Sequence, residues 1–116
     1  GKEGADEVKA MMKGYRNNPP EKINNSRVVK IDEYETLIST DCLKGEKKKI
    51  NLIKSDVLQF FLEDGTKISV RPSGTEPKIK FYFSVNTKLD SAAKYEETEK
   101  FLDQRIADVI KDMNLQ

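Results

Sequence analysis

The chain has 116 residues, the length of a single domain. It carries 21 Lys and Arg against 20 Asp and Glu, a formal charge of +1, and that near balance argues against a dedicated duplex-DNA binder, which shows a basic excess. Histidine is absent, which removes Ser-His-Asp and Cys-His catalysis, the ordinary imidazole base and every His-bearing zinc site.

In chain order, Ala5, Val8, Met11, Met12 and Tyr15 recur at steps of three and four and predict a short helix from Glu3 to Tyr15. Gly14 and then Asn17-Asn18-Pro19-Pro20 end it. Arg27 to Tyr34 reads as a strand, because Val28, Val29 and Ile31 are β-branched and polar positions interrupt them. From 35 to 55 the pattern weakens. Leu37 and Ile38 are compatible with more sheet, whereas Asp41, Gly45 and Lys47-Lys48-Lys49 look like an exposed loop. The lysines have no interleaved aromatic residues, so a solvated loop tip is preferred over a nucleic-acid contact.

The clearest supersecondary signal follows. Val57 to Leu62 is one strand, Glu63-Asp64-Gly65-Thr66 the turn, and Lys67 to Arg71 the returning strand. Alternation puts Ile68 and Val70 on one face and Lys67, Ser69 and Arg71 on the other. After the loop 72–77, Lys78 to Val85 alternates again. Ile79, Phe81, Phe83 and Val85 face the core, and Lys78, Lys80, Tyr82 and Ser84 face away. The last element is a helix from about Ser91 to Met113. Its stripe is Tyr95, Leu102, Ile106, Val109 and Met113, with Phe101 and Ile110 at the edges. Glu96, Glu97 and Glu99 sit toward its N-terminal half, where the helix dipole favours negative charge.

The sum is an α+β fold, an antiparallel sheet of about four strands covered by the C-terminal helix. Residues 1–24 form an accessory helix and linker, and 25–116 the domain proper. The apolar share of 36% implies a small core. The single cysteine, Cys42, excludes an internal disulfide and a cysteine zinc cluster and reads as an incidental thiol. No segment approaches the ~18 apolar residues of a membrane span, and no signal-peptide core is present. A soluble, cytoplasmic protein of a reducing compartment is expected. The start at Gly1-Lys2-Glu3, without methionine, fits a piece of a longer chain.

The informative segment is Arg71-Pro72-Ser73-Gly74-Thr75-Glu76-Pro77-Lys78-Ile79-Lys80. Physically it is an anion cradle. Arg71 offers a planar fork for two phosphate oxygens. Pro72 biases Arg71 toward an extended backbone. Ser73 and Thr75 supply hydroxyl donors, and Gly74 lets a ligand approach the backbone closely. Successive N–H groups around Gly74 and Thr75 can form a nest. Lys80 projects beside the loop on the same strand face as Lys78. Glu76 has two readings, a sugar-hydroxyl or Arg71/Lys80 contact, or a solvated turn residue. Composition alone also allows an ordinary Gly/Pro turn.

The string RPSGTEPKIKFYFSV resembles the phosphate-binding loop and following strand of the α-D-phosphohexomutases, which include phosphoglucomutases and phosphomannomutases. The preceding stretch from Leu58 to Gly65 looks most like the bacterial α-phosphoglucomutase branch. The resemblance spans at least Ser55 to Val85, the flanking elements suit the family's C-terminal domain, and it implies a fold similar to half of the TATA-binding protein. It assigns to Arg71, Ser73, Gly74 and Thr75 the binding of the sugar phosphate that is not reacting. Lys80 takes the place of a strand residue that is commonly arginine in the family; lysine keeps the charge but lacks the bidentate fork. Glu76 and Lys78 are accessory candidates.

The family's phosphoserine loop of Thr-Ala-Ser-His-Asn-Pro type, its Asp-x-Asp-x-Asp magnesium motif and its sugar-selecting Gly-Glu-x-Ser-Gly-His loop have no counterpart in this chain. The resemblance therefore implies one domain of four, inactive alone and with no catalytic residue of its own. The implied whole enzyme interconverts hexose 1-phosphate and hexose 6-phosphate, with glucose 1,6-bisphosphate as intermediate and activator. Magnesium is held by another domain. The implied partners are a phosphosugar and the preceding three domains, with no nucleic acid and no membrane. The alternatives are a mutase for pentose or amino-sugar phosphates and, from another class, a stand-alone anion- or nucleic-acid-binding module.

Overall fold

The computed structural model describes residues 2–85 and 95–113. The chain runs α1 (Lys2–Asn17), β1 (Lys22–Ile23), β2 (Ser26–Glu33), β3 (Ile38–Asp41), β4 (Lys47–Lys49), β5 (Leu58–Leu62), β6 (Lys67–Pro72), β7 (Ile79–Ser84) and α2 (Tyr95–Asp112). The strands form one antiparallel sheet in the order β4–β3–β2–β5–β6–β7, with β1 paired to β2 off this path. The α+β class stands. The expected helix start at Ser91 lies outside the described residues, as do the side chains of Tyr95 and Phe101.

The expectation of about four strands is corrected to the seven found among the described residues. Two of the additional strands, β3 and β4, lie in the segment where the sequence pattern is weak. Lys47-Lys48-Lys49, expected as a loop tip, is the edge strand β4, paired in register Thr40↔Lys47, Ser39↔Lys48 and Ile38↔Lys49. All three lysines are exposed. Lysines on an edge strand discourage pairing with further chains, so a composition that looks like a loop tip also suits a protected sheet edge. The third, β1, returns into β2 through Asn24 and Asn25 at φ 51° and 60°. Two consecutive positive φ values are what a tight two-residue hairpin requires, and asparagine tolerates them.

The core is built on one face of the sheet. Leu58, Phe60 and Leu62 alternate inward from β5, and Ile68 and Val70 from β6. Met12 of α1, Val109 of α2, Ile23 and Val28 complete it. Each such burial contributes about 1.5–3 kcal/mol relative to exposure. The inward face of α1 is narrower than its apolar pattern suggests, for Val8 and Met12 are buried while Ala5 and Met11 are exposed. Tyr15 packs its ring at a tilt against Phe60 and edge-on to Phe81. No described helix is long and apolar enough to cross a membrane.

Polar clamps fasten the helices. At the C-terminal turn of α1, Arg16 reaches Glu33 at 2.9 Å, Glu35 at 3.5 Å and Asp56. On α2, Arg105 meets the Asp64 carboxylate at 3.7 Å and donates to its carbonyl at 3.1 Å, tying the helix to the β5–β6 turn. Among the described elements both helices pack on the core side. The other sheet face carries Gln59, Phe61, Lys67, Ser69, Arg71, Lys80 and Tyr82.

Candidate functional site

The loop between β6 and β7 is where the chemistry-bearing residues gather. Arg71 lies near the end of β6, and its register partner across the ladder is Lys80. Directly opposed residues in an antiparallel pair project from the same face, so the two cations stand side by side. None of the ion pairs among the described residues involves Arg71 or Lys80. No carboxylate among the described residues compensates their charges.

The loop is closed by backbone bonds. The Ser73 N–H donates to the Lys78 carbonyl at 2.8 Å, and the Lys78 N–H donates to the Glu76 carbonyl at 2.8 Å. Within it the Ser73 hydroxyl oxygen accepts from the Thr75 and Glu76 N–H groups at 3.4 and 3.3 Å. These are long contacts that hold the amides weakly and leave the donors available to a stronger acceptor. The Glu76 carboxylate lies 3.2 Å from the Lys78 ammonium, with both side chains more than half exposed. Such a surface pair adds little stability. It draws the Glu76 charge to Lys78 rather than to Arg71 or Lys80.

Gly74 sits at the apex. A Cβ added there meets nothing within 4 Å, and its φ is outside the left-handed region. Neither crowding nor backbone conformation within this chain calls for glycine. Gly4 of α1 is the opposite case. A Cβ at Gly4 would stand 2.5 Å from the Pro77 Cβ, so the helix start abuts the loop directly. A cavity of about 370 Å³ opens between them, lined by Val8, Lys9 and Met12 of α1, by Asp56 and by residues 72–77. Arg71 and Lys80 do not line it. The loop therefore has two sides, one propped by α1 and one beside the paired cations.

Two side chains on the cation side were not singled out by sequence pattern. Tyr82 stacks with Arg71, whose guanidinium carbon is 5.4 Å from the ring centroid, and its hydroxyl oxygen accepts from an Arg71 N–H at 3.1 Å. Gln59 accepts from the Tyr34 hydroxyl and donates to Ser69, both at 3.0 Å. Burial, and Asp32 nearby, raise the Tyr34 pKa above its ordinary value, which keeps that phenol a donor. Their signal in the sequence is strand alternation plus register: Tyr82 is two residues from Lys80 and opposes Ser69.

Elsewhere, Cys42 lines a cavity of about 640 Å³ with Arg27, Glu63 and others, away from the loop. Burial and then Asp41 push its thiol pKa up, partly countered by Arg27. A raised pKa makes a poor nucleophile at neutral pH. Among the described residues no group of three or more Asp, Glu or Cys is placed to hold a metal ion. The magnesium implied for the family therefore finds no fitting donor set in them.

The model of the phosphoglucomutase/phosphomannomutase C-terminal domain matches residues 3–113. The chain belongs to that family. Phosphoglucomutase of Staphylococcus haemolyticus is 37% identical over 86 residues, covering 74% of this chain and 16% of that protein. Phosphoglucomutase of Staphylococcus saprophyticus is 38% identical over 88 residues, 76% of this chain and 16% of the relative. A Staphylococcus aureus phosphoglucomutase is 40% identical over 85 residues, 73% and 15%. The chain thus spans about one sixth of the length of these relatives. No solved structure matches it. The family match takes in α1 as well as the sheet and α2.

Proposed function

We propose that this chain is the substrate-phosphate anchor of a phosphoglucomutase or phosphomannomutase that interconverts hexose 1-phosphate and hexose 6-phosphate. The observation that carries the reading is the Arg71–Lys80 pair. Two adjacent cations, without a carboxylate partner among the described residues, adjoin a loop whose apex, Gly74, is open to a ligand. Arg71 supplies the fork, Lys80 a second charge, and Ser73, Gly74 and Thr75 the hydroxyl and N–H donors. Glu76 and Lys78 pair with each other and stay accessory.

These donors recognise tetrahedral oxygens and are indifferent to sugar stereochemistry. A bisphosphate that turns end for end, such as glucose 1,6-bisphosphate, can therefore rest either phosphate in the same place. Fixing the idle phosphate sets the distance and angle of the reacting end, where phosphoryl transfer gains most of its rate. The residues that carry and activate the phosphoryl group, with their magnesium, belong to the rest of the enzyme. The chain alone binds and does not turn over substrate.

The test is an NMR titration of the chain with glucose 1,6-bisphosphate. Amide shifts confined to residues 71–80, abolished in Arg71→Ala, are expected. Saturable shifts that miss this segment, or survive in the variant, would sink the assignment.

A further inference from the structure

Resting on that reading, we infer that Tyr82 is a positioning residue for Arg71. An arginine on a strand facing solvent has four side-chain torsions to freeze before it can present its fork to an anion. Arg71 is exposed, and no carboxylate among the described residues holds it. Tyr82 orders it by two contacts at once. The ring lies under the guanidinium at 5.4 Å, and the phenol oxygen takes one N–H at 3.1 Å.

The chemistry of the holder matters as much as its place. A carboxylate there would also fix the arginine, but it would cancel its charge and compete with the phosphate. A phenol is neutral and a ring face carries only a quadrupole, so the cation is oriented and stays available. Among the described residues one of the five guanidinium N–H donors is used, by the Tyr82 hydroxyl, which leaves the rest of the fork for the ligand.

Tyr82 is itself placed by the sheet. It opposes Ser69 in the ladder, Ser69 accepts from Gln59, and Gln59 accepts from Tyr34. This polar row crosses from the end of β2 to β7 on the face that neither helix covers. Tyr82 lies diagonal to Arg71, within reach of a long side chain.

The experiment measures inorganic phosphate binding by the chain and by Tyr82→Phe, Tyr82→Leu and Arg71→Ala. The Arg71 Nε–Hε resonance is followed as a direct report of guanidinium order. Tyr82→Phe keeps the ring and should weaken binding about threefold; Tyr82→Leu loses both contacts and should weaken it about tenfold. In Tyr82→Leu the Nε–Hε signal should broaden or move to the position of a free arginine before phosphate is added. Thermal midpoints should stay within about 2 °C of the parent, since the residue is half-exposed on the last strand of the sheet path. Should Tyr82→Leu prove unstable, the folded Tyr82→Phe variant decides by the same two readouts. Parent-like affinity and an unmoved Arg71 signal in the Tyr82 variants, with binding lost in Arg71→Ala, would overturn this inference alone. Parent-like affinity in Arg71→Ala would overturn the anchoring function with it.

Discussion

At position 74 a methyl group would meet nothing within 4 Å, and the backbone is outside the left-handed region. Nothing among the described residues therefore calls for glycine there. Gly74→Ala should keep or slightly raise stability, by about 0.4–1 kcal/mol, through the smaller entropy of the unfolded chain. If the loop anchors phosphate as proposed, the variant's phosphate affinity should nevertheless fall several-fold, because the added carbon would take the space of a phosphate oxygen beside the loop N–H groups. Thermal melts and a phosphate titration of the same sample check both halves; an affinity unchanged at raised stability would remove Gly74 from the cradle. Arg71, Ser73, Gly74, Thr75 and Lys80 were legible as residue types, and period-two alternation placed Arg71 and Lys80 on outward faces. Their direct opposition depends on the register between β6 and β7, which alternation does not set. The Glu76–Lys78 pair and the Tyr82 stack are likewise products of turn geometry and register.

At the scale of elements, α1 is a prop for the loop as well as a lid on the core. Val8 and Met12 seat it, and Gly4 lets its first turn close on Pro77. A Cβ 2.5 Å from another carbon cannot be accommodated without movement, and Pro77 is the end of a loop rather than a flexible side-chain tip. Gly4→Ala should therefore displace residues 73–78 even before ligand is present. Amide shifts at 73–78 with little change in the β2 and β5 amides are expected; shifts restricted to the helix would mean that α1 frays and the loop is independent of it. The helix was visible in the sequence by its spacing, but its grip on the loop was not, because glycine in a first turn is an unremarkable choice in one dimension. The strands β3 and β4 were hidden for another reason. Neither alternates strongly, and their pairing is supplied by backbone groups with three lysines pointing to water.

At the scale of the molecule, one cation joins the helix layer to the sheet end that leads into the loop. Arg16 bridges Glu33 at the end of β2, Glu35 in the following turn and Asp56 before β5. Burial alone would push the Glu33 pKa up. Hydrogen bonds from the Thr36 side chain, the Glu35 backbone, Arg16 and the Thr36 backbone outweigh it, and the net pKa lies below the ordinary 4.5. A carboxyl whose folded pKa is depressed holds fewer protons in the native state than in the unfolded one across that interval. Its stabilisation is complete above the unfolded pKa and is lost as pH falls through the folded one. Arg16, whose pKa is raised on balance although burial opposes it, stays charged throughout.

Glu33→Gln should therefore lower the melting temperature at about pH 7, and the gap to the parent should close as pH drops below about 4. Arg16→Met, which takes the shared cation from half-buried Glu33 and from the exposed Glu35 and Asp56, should cost about 1–2 kcal/mol at neutral pH, and that gap should also narrow as Glu33 protonates. Melts by circular dichroism from about pH 7 to 3 measure both gaps. Gaps that stay constant over that range would place the clamp outside the acid response.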